Sequence, residues 1–177
     1  MIHSERLTLR ELRDSDAPFI LELLNDPAWL LHIGDKGVRT LDDARAYIAN
    51  GPAASHLRHG FGLDLVELNT DATPIGLCGL IKRDTLQDVD IGYAFLPQFR
   101  GAGYAIEACA TVLRHAQETL ALPRLAAIVS PGNHASIRVL EKLGLRFEKM
   151  VQMSADGPET KLFLIAFDPQ STSPRSC

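Results

Sequence analysis

The stretch Asp90–Ala108, DIGYAFLPQFRGAGYAIEA, carries a change of period. Its first half alternates and reads as a strand ending near Leu96. Its second half, from Gly101 on, places Ile106, Ala110, Leu113, Gln117 and Leu120 at helical spacing. Between the two lie Arg100 and two glycines, Gly101 and Gly103, at the mouth of the helix. Amides in the first turn of a helix lack internal partners and point outward at the positive end of the helix dipole. A phosphate can take them up, and glycine lets the chain turn tightly and a ligand approach the backbone. Arg100 adds a planar cationic fork suited to phosphate oxygens. RGAGYA therefore makes sense as a diphosphate clamp, although a tight strand–helix turn bearing an exposed arginine has the same pattern. A P-loop is excluded because no lysine follows Gly103, and a dinucleotide fingerprint fails at Ile106, where a third glycine belongs.

Upstream, three runs read as strands: Phe61–Leu68, Pro74–Lys82 and Val89–Leu96. The polar links Asn69–Thr73 and Lys82–Asp88 suggest hairpins, hence an antiparallel meander. Before them, Arg6–Leu12 alternates as a first strand. Asp14–Leu24, with Pro18 in its first turn, reads as a short helix. Asn25–Arg39 is a helical fragment and a loop. Thr40 caps a further helix, with Asp43 at its third position and Ala44, Tyr47 and Ile48 on one face. Downstream come the strand RLAAIVS, the helix NHASIRVLEKLGL and two closing strands, RFEKMVQM and KLFLIAF, joined by SADGPET. Gly144 suits a left-handed cap, with Leu145 folding back on the last turn.

The chain has 177 residues, 46% hydrophobic and 23% charged, with a formal net charge of −4. This is the composition of one soluble domain, expected over residues 1–168 with a loose tail at 169–177. Mild acidity argues against direct nucleic-acid binding. No apolar run reaches membrane-span length, and the N-terminus has no apolar signal core. Three dispersed cysteines, Cys78, Cys109 and Cys177, fit reduced thiols and a cytoplasmic chain, the first two as small buried residues. The histidines show no metal-ligand spacing, so no metal is expected.

At these residues the chain resembles a GCN5-related N-acetyltransferase (GNAT), and within it the group that modifies ribosomal-protein N-termini and related small substrates. The family loop Q/R-x-x-G-x-G/A is matched by Arg100, Gly103 and Ala105. DIGYAFLPQFRGAGYAIEA resembles the family's fourth strand and cofactor loop, ERLTLREL its first strand, and NHASIRVLEKLGLRFEK its late helix and following strand. The resemblance implies an α/β, single-domain acyl-CoA N-acyltransferase fold. Its sheet is mixed and mostly antiparallel, with a V-shaped opening between strands 4 and 5 and helices on both faces. It implies acetyl-CoA as co-substrate. The amides of Arg100, Gly101, Ala102, Gly103, Tyr104 and Ala105 would hold the pyrophosphate. Phe95 and Leu96, with Pro97, would flank the pantetheine entrance, and Asn133 would bond the pantetheine arm.

Acetyl transfer to an amine requires a neutral amine, a stabilised carbonyl oxygen and a stabilised leaving thiolate. Asp90 is the leading base candidate, on the same strand face as Gly92. Asp88, Asp64 and Glu67 are competitors. Many family members carry a tyrosine acid seven residues after the asparagine, but that position here is Leu140. Ser136 resembles the serine proposed for thiolate contact in the ribosomal-protein group, and Tyr93 and Tyr104 are alternatives, Tyr104 being the better fit to packing beside the cofactor loop. Trp29 and Tyr93 are expected at the acceptor pocket, Trp29 equally as a core anchor. The expected activity is direct transfer to a primary amine of a small molecule or a protein N-terminus, by a monomer or homodimer. A non-catalytic acyl-CoA sensor is the alternative.

Overall fold

A computed structural model describes residues 1–167. The predicted tail at 169–177 lies outside the described residues. Eight strands form one sheet in the order β1-β2-β3-β4-β5-β6-β8-β7. They are β1 (Ile2–His3), β2 (Leu7–Arg10), β3 (Leu63–Leu68), β4 (Pro74–Ile81), β5 (Asp90–Phe95), β6 (Arg124–Val129), β7 (Arg146–Gln152) and β8 (Glu159–Ala166). The two-residue β1 was not anticipated, so the strands expected as the fourth and fifth are β5 and β6. β2 through β5 are antiparallel neighbours, as the polar links require. β5 and β6 run parallel, joined through the helix α5 (Tyr104–Glu118).

The helices before the meander are α1 (Ala17–Leu24), α2 (Pro27–His32), α3 (Leu41–Ile48) and α4 (Ala54–His59). Thr40 and Asp43 form the expected reciprocal cap of α3. A π-helical segment, Ala49–Ala53, carries α3 into α4, and Pro52 inside it supplies no amide to a regular ladder. α6 (His134–Lys142) starts on the Asn133 cap. It ends at Gly144, φ +89°, where the Leu145 amide donates to the Leu140 carbonyl.

The alternation of β3 and β4 divides the core into two layers. Val66 and Cys78 pack with Ala108, Cys109 and Val112 of α5 and with Leu140 of α6. Leu65 and Leu77 face the other way, against Ile20 and Leu24 of α1, Trp29 of α2 and Ala44 and Ile48 of α3. Helices thus cover both faces because single strands present apolar side chains to both. Cys78 and Cys109 are buried, with their sulfurs 3.8 Å apart, and burial pushes the Cys78 thiol far above its ordinary range. A thiol held that way is a packing group, not a nucleophile.

Two local contacts have measurable consequences. A Cβ on Gly79 would run into the Gly62 carbonyl oxygen and lie 2.8 Å from Leu63 Cα. Both obstacles are backbone, so Gly79→Ala should cost about 1–3 kcal/mol in a denaturant titration, as overpacking does. His56 Nε2 lies 3.0 Å from Asp64 Oδ1 on β3, with Glu11 3.8 Å from its other nitrogen. The Asp64 carboxylate raises the His56 pKa against the opposing effect of burial. A raised pKa means that the folded state holds this proton more tightly than the unfolded chain. Its stabilisation is complete below the unfolded value of about 6.5 and disappears as pH rises through the folded value. Thermal melts across pH 6–9 should show a loss in the native chain that His56→Gln lacks.

Candidate active site

β5 and β6 share one register pair, Asp90 with Ala126, supported by the Ala126 amide donating to the Val89 carbonyl at 2.9 Å. Beyond that pair β5 and β6 share no further register pair on the way to Phe95 and Val129. Strand edges in such an opening present backbone groups that an extended ligand can pair with. Asp90 marks the closed end of the V, and the glycine loop follows its open end.

In the loop, Gly101 and Gly103 have φ of +78° and +85°, and Gly103 caps α5. These left-handed conformations are why glycine stands at both positions. Among the described residues, the amides of Gly101 to Tyr104 donate to no backbone carbonyl. They are free for an anion at the positive end of a four-turn helix, which fits a diphosphate. The Arg100 amide is not free, since it donates to the Pro97 carbonyl at 3.2 Å.

The Arg100 side chain departs from expectation. Its Nε donates to the Phe95 carbonyl at 2.8 Å and its Nη2 to Asp26 Oδ2 at 2.6 Å. Asp26 is buried and needs a cation, and Phe95 is the last residue of β5, whose carbonyl needs a donor. The fork meets both demands and so braces the loop from behind.

A second brace was missed at the sequence level. Glu107 accepts from the Ser4 hydroxyl and the Arg6 amide, both at 2.7 Å, and from Arg6 Nε at 2.6 Å. Arg6 Nη1 also donates to the Ala102 carbonyl, and its guanidinium lies 4.5 Å from the Tyr104 ring centre. Glu107 sits in the first turn of α5, where a carboxylate is favoured. Partners about a hundred residues apart leave no local trace in the sequence.

Phe95 and Leu96 are buried on opposite layers of the core. Their side chains support the entrance from within and do not line it, because each fills the layer its strand parity assigns. Trp29 is a core anchor, 5% exposed, with its indole N–H donating to the Gly34 carbonyl at 3.1 Å. Its ring is consumed by packing against α1 and α3, so it shapes an acceptor wall only from behind.

Alternation along β5 separates the chemical groups. Asp90, Gly92 and Ala94 face the α1–α3 side, while Ile91, Tyr93 and Phe95 face α5 and α6. Asp90 is 1% exposed. Arg83 Nε donates to its Oδ1 at 2.9 Å, and its Oδ2 is buried with no partner among the described residues. Burial raises the Asp90 pKa, and Arg83 works against that by charge and by hydrogen bond. Two of the competing acids are committed elsewhere, and Asp64 Oδ1, like Asp90 Oδ2, is buried without a hydrogen-bond partner among the described residues. Asp88 pairs with Arg124 at 2.6 Å, and Glu67 pairs with Arg10 at 2.6 Å. Asp64 lies on the α5 face beside Cys78 and His56. A cavity of about 310 Å³ opens on the Asp90 face of β6, β8 and β7, with Asp88, Arg124, Ala126, Glu148 and Leu162 in its wall.

On the opposite face the Tyr93 hydroxyl donates to the Ser136 carbonyl at 3.4 Å, reaching from β5 to the first turn of α6. Burial pushes the Tyr93 phenol up, so it stays protonated. Asn133 Oδ1 accepts from the Ser136 amide at 3.2 Å, which makes its carbonyl oxygen a helix cap. Tyr93, Asn133 and Ser136 therefore come together between β5 and the start of α6. Leu140, in the place where many relatives carry a tyrosine, is a fully packed core residue.

A sheet splayed between parallel strands, with a free-amide glycine loop at the open end, defines an acyl-CoA N-acyltransferase architecture. Residues 6–146 match the acetyltransferase (GNAT) domain model, and the chain belongs to the GNAT acetyltransferase family. It is similar to the Bacillus subtilis protein YkkB, 29% identical over 152 residues covering 84% of this chain and 87% of YkkB. The Bacillus subtilis N-acetyltransferase YnaD is 29% identical over 147 residues, 83% of each chain. Among solved structures, an acetyltransferase from Agrobacterium tumefaciens superposes with a TM-score of 0.80 at 26% identity, covering 94% of both chains. The fold is also that of RimL, the ribosomal L7/L12 alpha-N-protein acetyltransferase solved with coenzyme A. There the TM-score is 0.77 at 18% identity, over 93% of this chain and 96% of that one. The family uses acetyl-CoA, and its members are acyltransferases. No helix among the described residues is long and apolar enough to cross a membrane.

Proposed function

We propose that this chain transfers the acetyl group of acetyl-CoA directly to a primary amine, both substrates being held in one site. The observation that carries this reading is the division of β5. A buried carboxylate with one unpartnered oxygen lies on one face of β5, and a protonated phenol beside a helix start lies on the other. The amine nitrogen attacks the thioester carbonyl from the Asp90 face, and the carbon–sulfur bond breaks. The amine proton passes to Asp90, directly or through a water. The thiolate leaves on the opposite face, where the Ser136 hydroxyl or the Tyr93 phenol donates to it. Opposed faces let base and acid act without neutralising one another. The free amides of Gly101 to Tyr104, with that of Ala105 in the first turn of α5, hold the diphosphate, and Asn133, through its amide nitrogen, bonds the pantetheine arm.

The acceptor is a small-molecule amine or a protein N-terminus. RimL, named for the second of these, shares the fold. The test is calorimetric titration with acetyl-CoA, followed by a thiol-release assay against spermidine, amino acids and serine- and alanine-terminated peptides. Saturable binding with amine-dependent thiol release supports the reading. Binding without release across the panel would favour an acyl-CoA sensor, and no binding by folded protein would overturn the acetyl-CoA assignment.

A further inference from the structure

α2 is tied at both ends, and the two ties lie on opposite arms of the V. At its start, Asp26 Oδ2 accepts from the Ala28 amide at 3.0 Å, the Trp29 amide at 3.2 Å and Arg100 Nη2 at 2.6 Å. Arg100 belongs to the loop that follows β5, and its Nε holds the last carbonyl of that strand. At the far end of α2, the Ser130 hydroxyl donates to the His32 carbonyl at 3.0 Å. Ser130 is the residue after β6. A six-residue helix therefore bridges the two strands where their own pairing has stopped. Along it Leu31 and Ile33 are exposed, Leu31 at 76%, while Trp29 roots it in the core.

We infer that α2 is a strap across the open end of the V, and that Asp26 and Arg100 are positioning residues coupling that strap to the cofactor loop. The inference rests on the acetyl-CoA reading above. The physical basis is the shared guanidinium. An anion taken up by the amides of Gly101 to Tyr104 restrains the adjacent Arg100. That restraint passes through one short charge-assisted bond to the carboxylate that caps α2. Ordering the loop and ordering the strap are then partly the same event, so the cost of the second is met when the first occurs.

Amide hydrogen exchange of residues 27–34 tests this with acetyl-CoA as the probe and without any acceptor. The reporting amides are Leu30, which donates to the Asp26 carbonyl, and Ile33 and Gly34, which donate to the Trp29 carbonyl. In the native chain, saturating acetyl-CoA is expected to slow their exchange about five- to tenfold, beyond the loop itself. Asp26→Asn separates capping from coupling, because asparagine caps a helix as well as aspartate but carries no charge for Arg100. In this variant acetyl-CoA should bind with affinity within about threefold of native. It should slow α2 exchange less than about twofold, the small response of an uncoupled helix. In an Arg100→Met background, Asp26→Asn should add nothing further to α2 exchange. Ser130→Ala should speed exchange at Ile33 and Gly34 and leave Leu30 nearer native. The inference is overturned if native protein binds acetyl-CoA with no slowing at α2, or if Asp26→Asn keeps the full response. Absence of calorimetric binding to native protein would instead remove the acetyl-CoA reading, and the coupling with it.

Discussion

Asp90→Asn is expected to lower kcat/KM for acetyl transfer by about 10²–10³-fold, the range for loss of a positioned general base. Acetyl-CoA affinity should hold, because Asp90 lies at the closed end of the V, remote from the glycine loop. The pH profile distinguishes this role from a structural one. Burial raises the Asp90 pKa, so the base ionises above the ordinary carboxylate value of about 3.9, and the native rate should climb with pH through that shifted value. Asp90→Asn should abolish this acidic limb. Arg83 opposes the shift, so Arg83→Gln should move the limb to still higher pH. Stability runs with the opposite sign. A carboxyl whose folded pKa is raised is best accommodated below its unfolded value, and stability falls as pH rises through the folded one. Relative to native protein, Asp90→Asn should therefore melt higher at pH 8 than at pH 4. A variant that keeps its rate and its acidic limb would return Asp90 to a purely structural pairing with Arg83.

The second large effect belongs to Gly103. Its φ of +85° lies where a β-branched residue is a genuine outlier. An added Cβ itself would meet only Arg6 Nη2, at an ordinary 3.4 Å. Gly103→Val should thus act through the backbone. It would either strain the loop, at about 2 kcal/mol, or turn the amides away from the bound anion. By either route acetyl-CoA affinity should fall by about 30-fold or more, read by calorimetry. Gly103→Ala should fall between native and valine. Comparable melting temperatures for the three would show that α5 persists, and unchanged affinity in the valine variant would remove the loop from the cofactor site.

Much of the architecture was legible before any coordinates. Period-two and period-3.6 patterns marked seven of the eight strands and the helices α1, α3, α5 and α6, because burial on one face writes itself into neighbouring residues. The Thr40–Asp43 cap and the Gly144 terminus were readable because both are local hydrogen-bonding devices. α4 and the π-helical segment escaped, since Pro52 and the histidine-rich run SHLRH carry no clear period. β1 escaped because two residues cannot show one.

In the site, the sequence by itself determined the glycine loop, the helix that follows it and the strand that carries Asp90, each a matter of adjacent residues. Alternation along that strand also put Asp90 on the face of Gly92 from sequence alone. Only the tertiary structure decided what the charged groups do. It turned Arg100 from phosphate toward Asp26, 74 positions away in the chain, and set Arg6 on Glu107, 101 positions away. It set Asp88 on Arg124, Glu67 on Arg10 and Asp64 beside His56, and it paired one Asp90 oxygen with Arg83 while burying the other without a hydrogen-bond partner among the described residues. It drew Trp29 into the core and set Tyr93 against α6. The reason is physical. Backbone conformation and amphipathic burial depend on near neighbours, whereas a buried charge takes whichever opposite charge the packing brings within about 3 Å, and no spacing along the chain encodes that meeting.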